Sequence, residues 1–282
     1  MVDEAGVVIR TMTKAEVPFA IGEAAREGWN PGRHDAACFY EADPEGFLVA
    51  DLDGTPVGCV AAIRYGDRYG FLGLFIVAER FRGMGIGMRL WDAAVERLDG
   101  RVAGLDGVVA MQAAYADSGF VLAHRNIRYS GRVSGRRSSA LDCRPIAEVE
   151  EIREYDEPLF GGPRQKFLAA WLAQRDVIAL AARVNGELRG YAVARACRQG
   201  TKIGPLFADD PQIAEGLLDA VAARLPEGST LIVDVPEPNA AATFLVQANG
   251  MQPGFETARM YRGGDPGLPL KRVFGITTLE LG

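Results

Sequence analysis

Apolar and polar positions follow the same order in the two halves of the chain. Residues 46–78 predict two strands joined at a tight Asp-Gly turn, followed by a third strand with a long apolar run. Residues 176–209 repeat this arrangement with an Asn-Gly turn. In each half the third strand precedes a segment whose apolar positions share one helical face. The pattern therefore indicates an internal duplication.

Each half continues with a further strand, a second helix and a closing strand. This order favours an α+β protein with two tandem domains, each a mixed, mostly antiparallel sheet flanked by helices. We predict a first domain at residues 1–135 and a second at residues 140–282. Between them, residues 131–142 lose apolar periodicity and are rich in Gly, Ser and Arg, which is typical of a solvated linker.

Composition narrows the functional class. With 282 residues, 48% of them hydrophobic and 24% charged, the chain can build two cores. Its net charge of -6 argues against nucleic-acid binding and leaves room for a cationic substrate. The start of the chain lacks the features of a signal peptide, and no apolar run reaches the roughly 20 residues that span a bilayer. We therefore expect a soluble, cytoplasmic protein without membrane contact.

Metal binding is not indicated by the sequence. The four cysteines stand singly, without a CxxC pair, and only two histidines are present. Neither a zinc site nor a disulfide framework is predicted.

The two halves differ between the third strand and the following helix. In the first half, the third strand is connected to the helix by the segment ERFRGMGIGMRLW, residues 79–91. In the second half, the short turn ADDPQ, residues 208–212, makes the same connection. The first half is longer here by about five residues. A helix N-terminus exposes unpaired amides, and glycines let the backbone approach a bulky anion closely. The segment therefore predicts a pyrophosphate site, to which Arg80 and Arg82 add positive charge.

Two other phosphate loops fit this segment poorly. A dinucleotide-binding fingerprint needs GxGxxG, and a P-loop needs a Lys-Ser or Lys-Thr pair that is missing here. The remaining alternative is that the glycines form only a tight turn. A pyrophosphate beside a strand with a free edge, which could pair with an extended amide-bearing arm, matches the chemistry of coenzyme A.

At these residues the chain resembles the GNAT N-acyltransferase superfamily, whose acetyl-CoA motif reads R/Q-x-x-G-x-G-A/I and is matched by residues 82–87 in the form RGxGIG. A later motif, YxxxGF, is matched by Tyr115, Gly119 and Phe120. The chain is more closely similar to two-domain bacterial GNAT proteins with GWNPG and GLDGV segments, here residues 28–32 and 104–108. The resemblance covers nearly the whole sequence.

The resemblance implies direct transfer of an acetyl group from acetyl-CoA to a primary amine of a small molecule or an amino-acid-like acceptor. Strand amides polarise the thioester carbonyl, and an acid at Tyr115 protonates the departing thiolate. The implied cofactor-binding residues are Phe75, Ile76, Val77, Arg82, Gly83, Met84, Gly85, Ile86 and Gly87.

The second half lacks both the glycine loop and the tyrosine, which is replaced by Val246. We expect it to bind no acetyl-CoA in the standard way. It is expected to shape or cover the acceptor site or to hold a homodimer together.

The general base is less clearly marked. Residues 71–77 contain no acid, so the base is either a chain of waters or a residue from elsewhere. Asp106 is the candidate residue, with a turn cap as its alternative role. Trp29, His34 and Phe39 are candidates for the acceptor pocket, where aromatic rings could hold an amine by cation-π contact. For these three residues, and also for Tyr115, the alternative is a structural role in the core.

Two other functions remain open at this point. The missing strand carboxylate fits a non-catalytic acyl-CoA-binding or regulatory module. The tandem architecture also fits transfer of the kind catalysed by mycothiol synthase.

Overall fold

The computed structural model describes residues 6–132 and 141–282, and its elements repeat in the same order in both halves. The first half contains β1 (Val7–Thr11), α1 (Val17–Arg26), α2 (Asp35–Ala42), β2 (Phe47–Leu52), β3 (Thr55–Tyr65), β4 (Tyr69–Val77), α3 (Ile86–Arg97), β5 (Val102–Val108), α4 (Gln112–Asp117) and β6 (Val121–Arg132). The second contains β7 (Asp142–Pro145), α5 (Glu150–Phe160), α6 (Gln165–Leu172), β8 (Ile178–Val184), β9 (Glu187–Ala196), β10 (Thr201–Ala208), α7 (Pro211–Ala222), β11 (Thr230–Pro236), α8 (Ala240–Ala248), β12 (Gln252–Arg262) and β13 (Val273–Gly275). The predicted α+β class is confirmed.

The two predicted hairpins form at the expected turns. Asp53 and Gly54 both have positive φ, 50° and 80°, and Asn185 and Gly186 have 52° and 85°. Two successive residues of positive φ match the right-handed twist of the flanking strands, and the Asp-Gly and Asn-Gly pairs tolerate this conformation. The turns therefore set the pairing of β2 with β3 and of β8 with β9.

The halves do not form separate sheets, because their closing strands are exchanged. In the described residues one sheet runs β1-β2-β3-β4-β5-β12-β6-β11-β10-β9-β8-β7. Strand β12 of the second half pairs with β5, and β6 of the first half pairs with β11. Strands β6 and β12 also pair with each other at the centre. Each closing strand thus covers a sheet edge that the other half would leave open.

The predicted linker at residues 131–142 falls mainly on residues 133–140, which lie outside the described part of the chain. Its ends belong to strands, since β6 continues through Arg132 and β7 starts at Asp142.

In the part of the chain that the structure describes, apolar side chains form three cores. One packs α3 against the first half of the sheet, and a second packs α7 and α8 against the second half. The third lies between the halves and includes Phe39, stacked on Trp171 with ring centroids 6.1 Å apart. Within the described ranges, no helix is long and apolar enough to span a membrane.

Both halves contain a pair of parallel strands that separate part-way along. Strands β4 and β5 pair from Tyr69 to Leu72 and then diverge. Strands β10 and β11 pair only from Thr201 to Ile203, and here β13 fills the gap by pairing with β10. The cleft between the diverging strands is therefore open in the first half and closed by β13 in the second.

The segment after β13 is buried from residue 276 to residue 282 and crosses to the first half. It passes so close to β4 that a Cβ added at Gly73 would lie 1.8 Å from the carbonyl oxygen of Glu280. The Tyr65 hydroxyl donates a 3.0 Å hydrogen bond to the Leu281 carbonyl oxygen. This buried segment, residues 276–282, thus packs directly on the strand that borders the open cleft.

We predict that Gly73→Ala destabilises the protein by about 1–3 kcal/mol, because the new methyl group must displace buried backbone. Urea denaturation would measure the change in the free energy of unfolding. Gly254→Ala is the matched control, since its Cβ would come no closer than 3.9 Å to Arg128 O. Equal stability of the two variants would contradict the close packing of residues 276–282 on β4.

Candidate active site

The open cleft between β4 and β5 contains a cavity of about 380 Å³. Both halves of the chain contribute to its wall. The first half provides the backbone and side chains of β4 and β5 together with helix residues, and the second half provides residues of β12 and the buried segment. The side chains used below are Glu27, Trp29, Phe75, Arg82, Asp106 and Tyr115 from the first half and Phe255, Thr257 and Leu279 from the second.

The glycine segment leads from β4 to the N-terminus of α3. Gly83 and Gly85 both have φ of 76°, which favours glycine, and a Cβ at Gly83 would meet no atom within 4 Å. Gly85 is the N-cap of α3 and provides no side-chain cap. Gly87 serves packing, since its Cβ would lie 3.5 Å from Val77 and 3.6 Å from Phe75. The amides at the start of α3 are left without a local side-chain acceptor.

The equivalent helix of the second half is closed to an anion. Asp210 is the N-cap of α7, and its carboxylate accepts a 2.9 Å hydrogen bond from the Ile213 amide. A carboxylate at this position satisfies an exposed amide and repels a second anion. The N-terminus of α7 therefore has a carboxylate cap where a phosphate would bind, whereas the N-terminus of α3 has none.

The predicted donor residues fall into two groups. Phe75, Ile76, Val77 and Arg82 line the cavity. The remaining positions form the loop and the start of α3 above it, where Ile86 is buried in the first-half core and Met84 is half-buried.

Arg82 has a different role from the one expected from charge alone. Its Nε donates a 2.9 Å hydrogen bond to the Val77 carbonyl oxygen, and its terminal nitrogen forms an ion pair with Glu27. The Arg80 guanidinium lies over the Phe81 ring, 4.7 Å from its centroid. The side chain of Arg82 thus joins the end of β4 to the C-terminus of α1, while the backbone of the segment faces the open space.

Strand β4 carries a bulge beside the cavity. Cys59 pairs with Ile76 and Ala61 with Gly73, so Leu74 and Phe75 lie opposite one residue of β3. Leu74 has φ of 50°, which is unusual for a residue with a side chain. A bulge interrupts the ladder and reorients backbone groups, here at the point where β4 turns away from β5.

Tyr115 lies on α4 with its ring against the cavity. The ring packs 5.2 Å from the Trp91 centroid, and it covers Gly107 so closely that a Cβ there would be 2.2 Å from Cε2. Burial raises the pKa of Tyr115 to about 12. The hydroxyl therefore keeps its proton at neutral pH and is available as a donor.

Asp106 lies inside β5 and caps no turn. Both of its oxygens are bound by the Arg259 guanidinium, at 2.9 and 2.5 Å, and Asn126 Nδ2 donates a further bond of 2.7 Å. Burial lowers the pKa of Arg259, but attraction to Asp106 more than offsets this and leaves it well above its usual value. The prediction that Asp106 acts as a general base is therefore corrected. Its carboxylate is not free, because it is bound by Arg259 from the exchanged strand β12.

The three predicted acceptor residues are separated in the structure. Trp29 lines the cavity. Phe39 is fully buried in the core between the halves, and His34 borders a different surface cavity with Lys14 and Glu41. The geometry thus corrects the pocket assignment of Phe39 and His34, because α2 packs against α6 and not against the cleft.

Sequence reasoning named no residue of the second half as part of the cavity, although it allowed that half to shape the acceptor site. Phe255 and Thr257 reach the cavity because β12 lies beside β5, and Leu279 reaches it on the buried segment. The Thr257 side chain is 2% exposed, and its hydroxyl has no hydrogen-bond partner in the described residues. Alternation along β12 is compatible with Phe255, Thr257 and Arg259 sharing a face, but alternation alone does not show which half that face meets.

Models of two acetyltransferase families match the chain. One described as an acetyltransferase (GNAT) family matches residues 15–120, and one described as an acetyltransferase (GNAT) domain matches residues 152–275. Together they span most of the sequence, with one match in each half. The chain belongs to the GNAT superfamily. The duplication seen in the sequence is a tandem pair of GNAT units.

Known proteins resemble this GNAT chain over nearly its full length. Holothin acyltransferase from Pseudoalteromonas sp. (strain SANK 73390) is 28% identical over 261 residues, covering 92% of this chain and 89% of the relative. A proposed acetyltransferase from Pyrococcus horikoshii has a TM-score of 0.82 with 24% identity, covering 98% and 96% of the two chains. A tandem GNAT protein from the clavulanic acid biosynthesis pathway has a TM-score of 0.61 with 15% identity, covering 93% and 99%. The protein is a GNAT-type acyltransferase.

The GNAT site shows no sign of a metal centre in residues 6–132 and 141–282. These ranges hold no group of three or more His, Cys, Asp and Glu side chains placed to bind a metal ion. The buried His124 lies outside the main cavity, and burial together with the Arg259 charge lowers its pKa to about 4. His124 is therefore uncharged at neutral pH.

Proposed function

We propose that this protein transfers the acetyl group of acetyl-CoA to a primary amine of a small molecule. The observation that carries the proposal is the uncapped N-terminus of α3 beside an open cleft that leads to Tyr115. A helix N-terminus with left-handed glycines suits a pyrophosphate, and the diverging edge of β4 suits an extended amide-bearing arm. The acyltransferase relative at 28% identity supports the same reaction type.

The residues of the cleft have distinct parts in this reaction. The backbone of residues 83–87 binds the pyrophosphate, and Phe75, Ile76 and Val77 border the arm that ends in the thioester. Backbone amides at the β4 bulge polarise the thioester carbonyl as negative charge develops on its oxygen.

The reaction proceeds by direct attack. The amine nitrogen forms a bond to the thioester carbon, and the carbon–sulfur bond then breaks. Tyr115 donates its proton to the departing thiolate, and the proton that leaves the new amide nitrogen returns to the tyrosinate through water. Protons and electrons balance without a further reactant.

We further propose that residues 1–135 bind the donor and that residues 140–282 do not. In the second half β13 fills the cleft and Asp210 caps the helix that corresponds to α3. One equivalent of acetyl-CoA per chain is expected.

Gly85→Glu is expected to weaken acetyl-CoA binding by about 100-fold or more, because it places a carboxylate where the pyrophosphate meets α3. Isothermal titration calorimetry with acetyl-CoA and with free CoA would measure the loss. Gly100→Glu is the matched control, since Gly100 also has positive φ, 79°, and open space around its Cβ. Undiminished binding by Gly85→Glu would show that the glycines form only a turn.

The alternative of a non-catalytic acyl-CoA-binding module is set aside, because the chain belongs to a superfamily of acyltransferases. Multiple turnovers of acetyl-CoA per chain, measured as CoA release with an amine acceptor, are the expected result.

A further inference from the structure

The charged side chains that line the cavity are all paired within the described residues. Glu27 forms an ion pair with Arg82, and Asp106 forms one with Arg259. The Arg82–Glu27 pair is partly exposed at the edge of the cavity, whereas the Asp106 side chain is fully buried. The cavity wall therefore presents no free carboxylate to a cationic substrate.

An ammonium group would meet two obstacles in this cavity. Burying its charge without a partner is costly, and it must lose a proton before its nitrogen can attack. Asp106 can take that proton only by giving up its bonds to Arg259 and Asn126, and Glu27 only by giving up Arg82. Tyr115 enters the reaction as a proton donor.

The part of the cavity wall that we assign to the acceptor is apolar and carries two aromatic rings. Trp29, Phe255 and Leu279 form it, and the Arg128 guanidinium lies 5.5 Å from the Phe255 centroid. Arg128 also donates a 2.8 Å hydrogen bond to the Trp29 carbonyl oxygen, which fixes the two aromatic residues relative to each other. Because both Asp234 oxygens accept hydrogen bonds from Arg128, at 2.7 and 2.9 Å, the charge of Arg128 is compensated and this wall carries no net charge.

One polar atom in the wall lacks a partner. The Thr257 hydroxyl is buried, and no hydrogen bond satisfies it within residues 6–132 and 141–282. A buried hydroxyl without a partner is unfavourable, and an N–H group of a bound neutral amine would satisfy it. Thr257 is thus the polar contact in an otherwise apolar acceptor wall.

We infer that the acceptor is an amine that is already uncharged at neutral pH and is attached to a flat apolar body, as in an aromatic amine. The inference rests on the proposed acetyl transfer. Such a nitrogen keeps its lone pair free, so it attacks the thioester carbon without prior deprotonation, and one proton leaves it after the bond has formed. The paired state of Asp106 and Glu27 is then compatible with catalysis.

Two isomeric amines test this inference directly. 4-Methylaniline and benzylamine have the same atoms, but only benzylamine is charged at neutral pH. With saturating acetyl-CoA, kcat/KM from CoA release is expected to be at least about 10-fold higher for 4-methylaniline. It should also stay flat from about pH 6 to about pH 9, while the value for benzylamine rises with pH.

The outcomes separate the inference from the proposed function. Preferred acetylation of benzylamine, or of the diamine cadaverine in the same assay, would overturn the inferred acceptor class and leave acetyl transfer standing. If CoA were released neither with these acceptors nor with any member of a broad panel of amines, the proposed function itself would be overturned.

Thr257→Val tests the polar contact. It should raise KM for 4-methylaniline by about 10-fold with a smaller change in kcat, because it removes a hydrogen bond and keeps the shape of the side chain. Thr257→Ser should restore KM, and acetyl-CoA affinity should be retained in both variants. An unchanged KM in Thr257→Val would overturn the role of Thr257.

Discussion

Tyr115→Phe is expected to lower kcat by about 10²- to 10⁴-fold, the range over which a positioned proton donor accelerates a reaction. The variant keeps the ring that covers Gly107 and packs on Trp91, so the cavity retains its shape. Only the hydroxyl that protonates the departing thiolate is lost. Because the hydroxyl acts in the transition state, KM and acetyl-CoA affinity should change little.

The pH dependence gives this prediction a second measurement. Burial raises the pKa of Tyr115 to about 12, so the donor stays protonated through neutral and mildly alkaline pH. Activity that depends on the Tyr115 proton is therefore present at pH values below this raised pKa, and it is lost as the pH rises through the pKa. Between about pH 7 and about pH 10, wild-type kcat should show no decline from Tyr115.

Tyr40→Phe is the matched control for the same chemical change away from the cleft. Tyr40 is half-buried on α2 and lies against Lys14, outside the cavity. Comparable kcat for Tyr115→Phe and Tyr40→Phe would contradict the proposed role of Tyr115 and favour a purely packing role.

Separating the halves is expected to abolish folding of each part as well as activity. A chain of residues 1–135 would lack β12, so β5 would have an open edge and Asp106 would lose Arg259. Removing one partner of a buried ion pair alone costs about 3–5 kcal/mol, which is a large fraction of the roughly 5–15 kcal/mol that stabilises a typical protein.

Circular dichroism and CoA release would test this expectation. Residues 1–135 and residues 140–282 should each be largely unfolded when produced alone and should regain structure and activity when produced together. An independently folded, active fragment of residues 1–135 would show that the exchanged strands are dispensable.

Local features of this protein could be predicted from its sequence because they depend on neighbouring residues. The hairpin turns follow from Asp-Gly and Asn-Gly, and the loop before α3 follows from its alternating glycines. The exchange of β6 and β12 could not be predicted, since each strand has the same alternation whichever half it pairs with.

The candidate site could likewise be predicted only in those parts that depend on neighbouring residues. Tyr115 and the glycine segment were found from motifs, whereas the Arg259 partner of Asp106 and the acceptor wall of Phe255, Thr257 and Leu279 come from distant parts of the chain. Trp29 lines the cavity and Phe39 lies in a core, and the sequence could not separate the two because an aromatic residue near a cleft and one in a core give the same signal.

The exchange of β6 and β12 has a consequence for the origin of the protein. Reciprocal exchange of one identical element is how two copies of a small ancestor would form a symmetric dimer. Joining the copies in one gene would preserve that pairing permanently and remove the requirement that both copies stay functional. One binding cleft could then be retained while selection on the other relaxed, and a cleft released in this way is free to be filled, as β13 fills the second one.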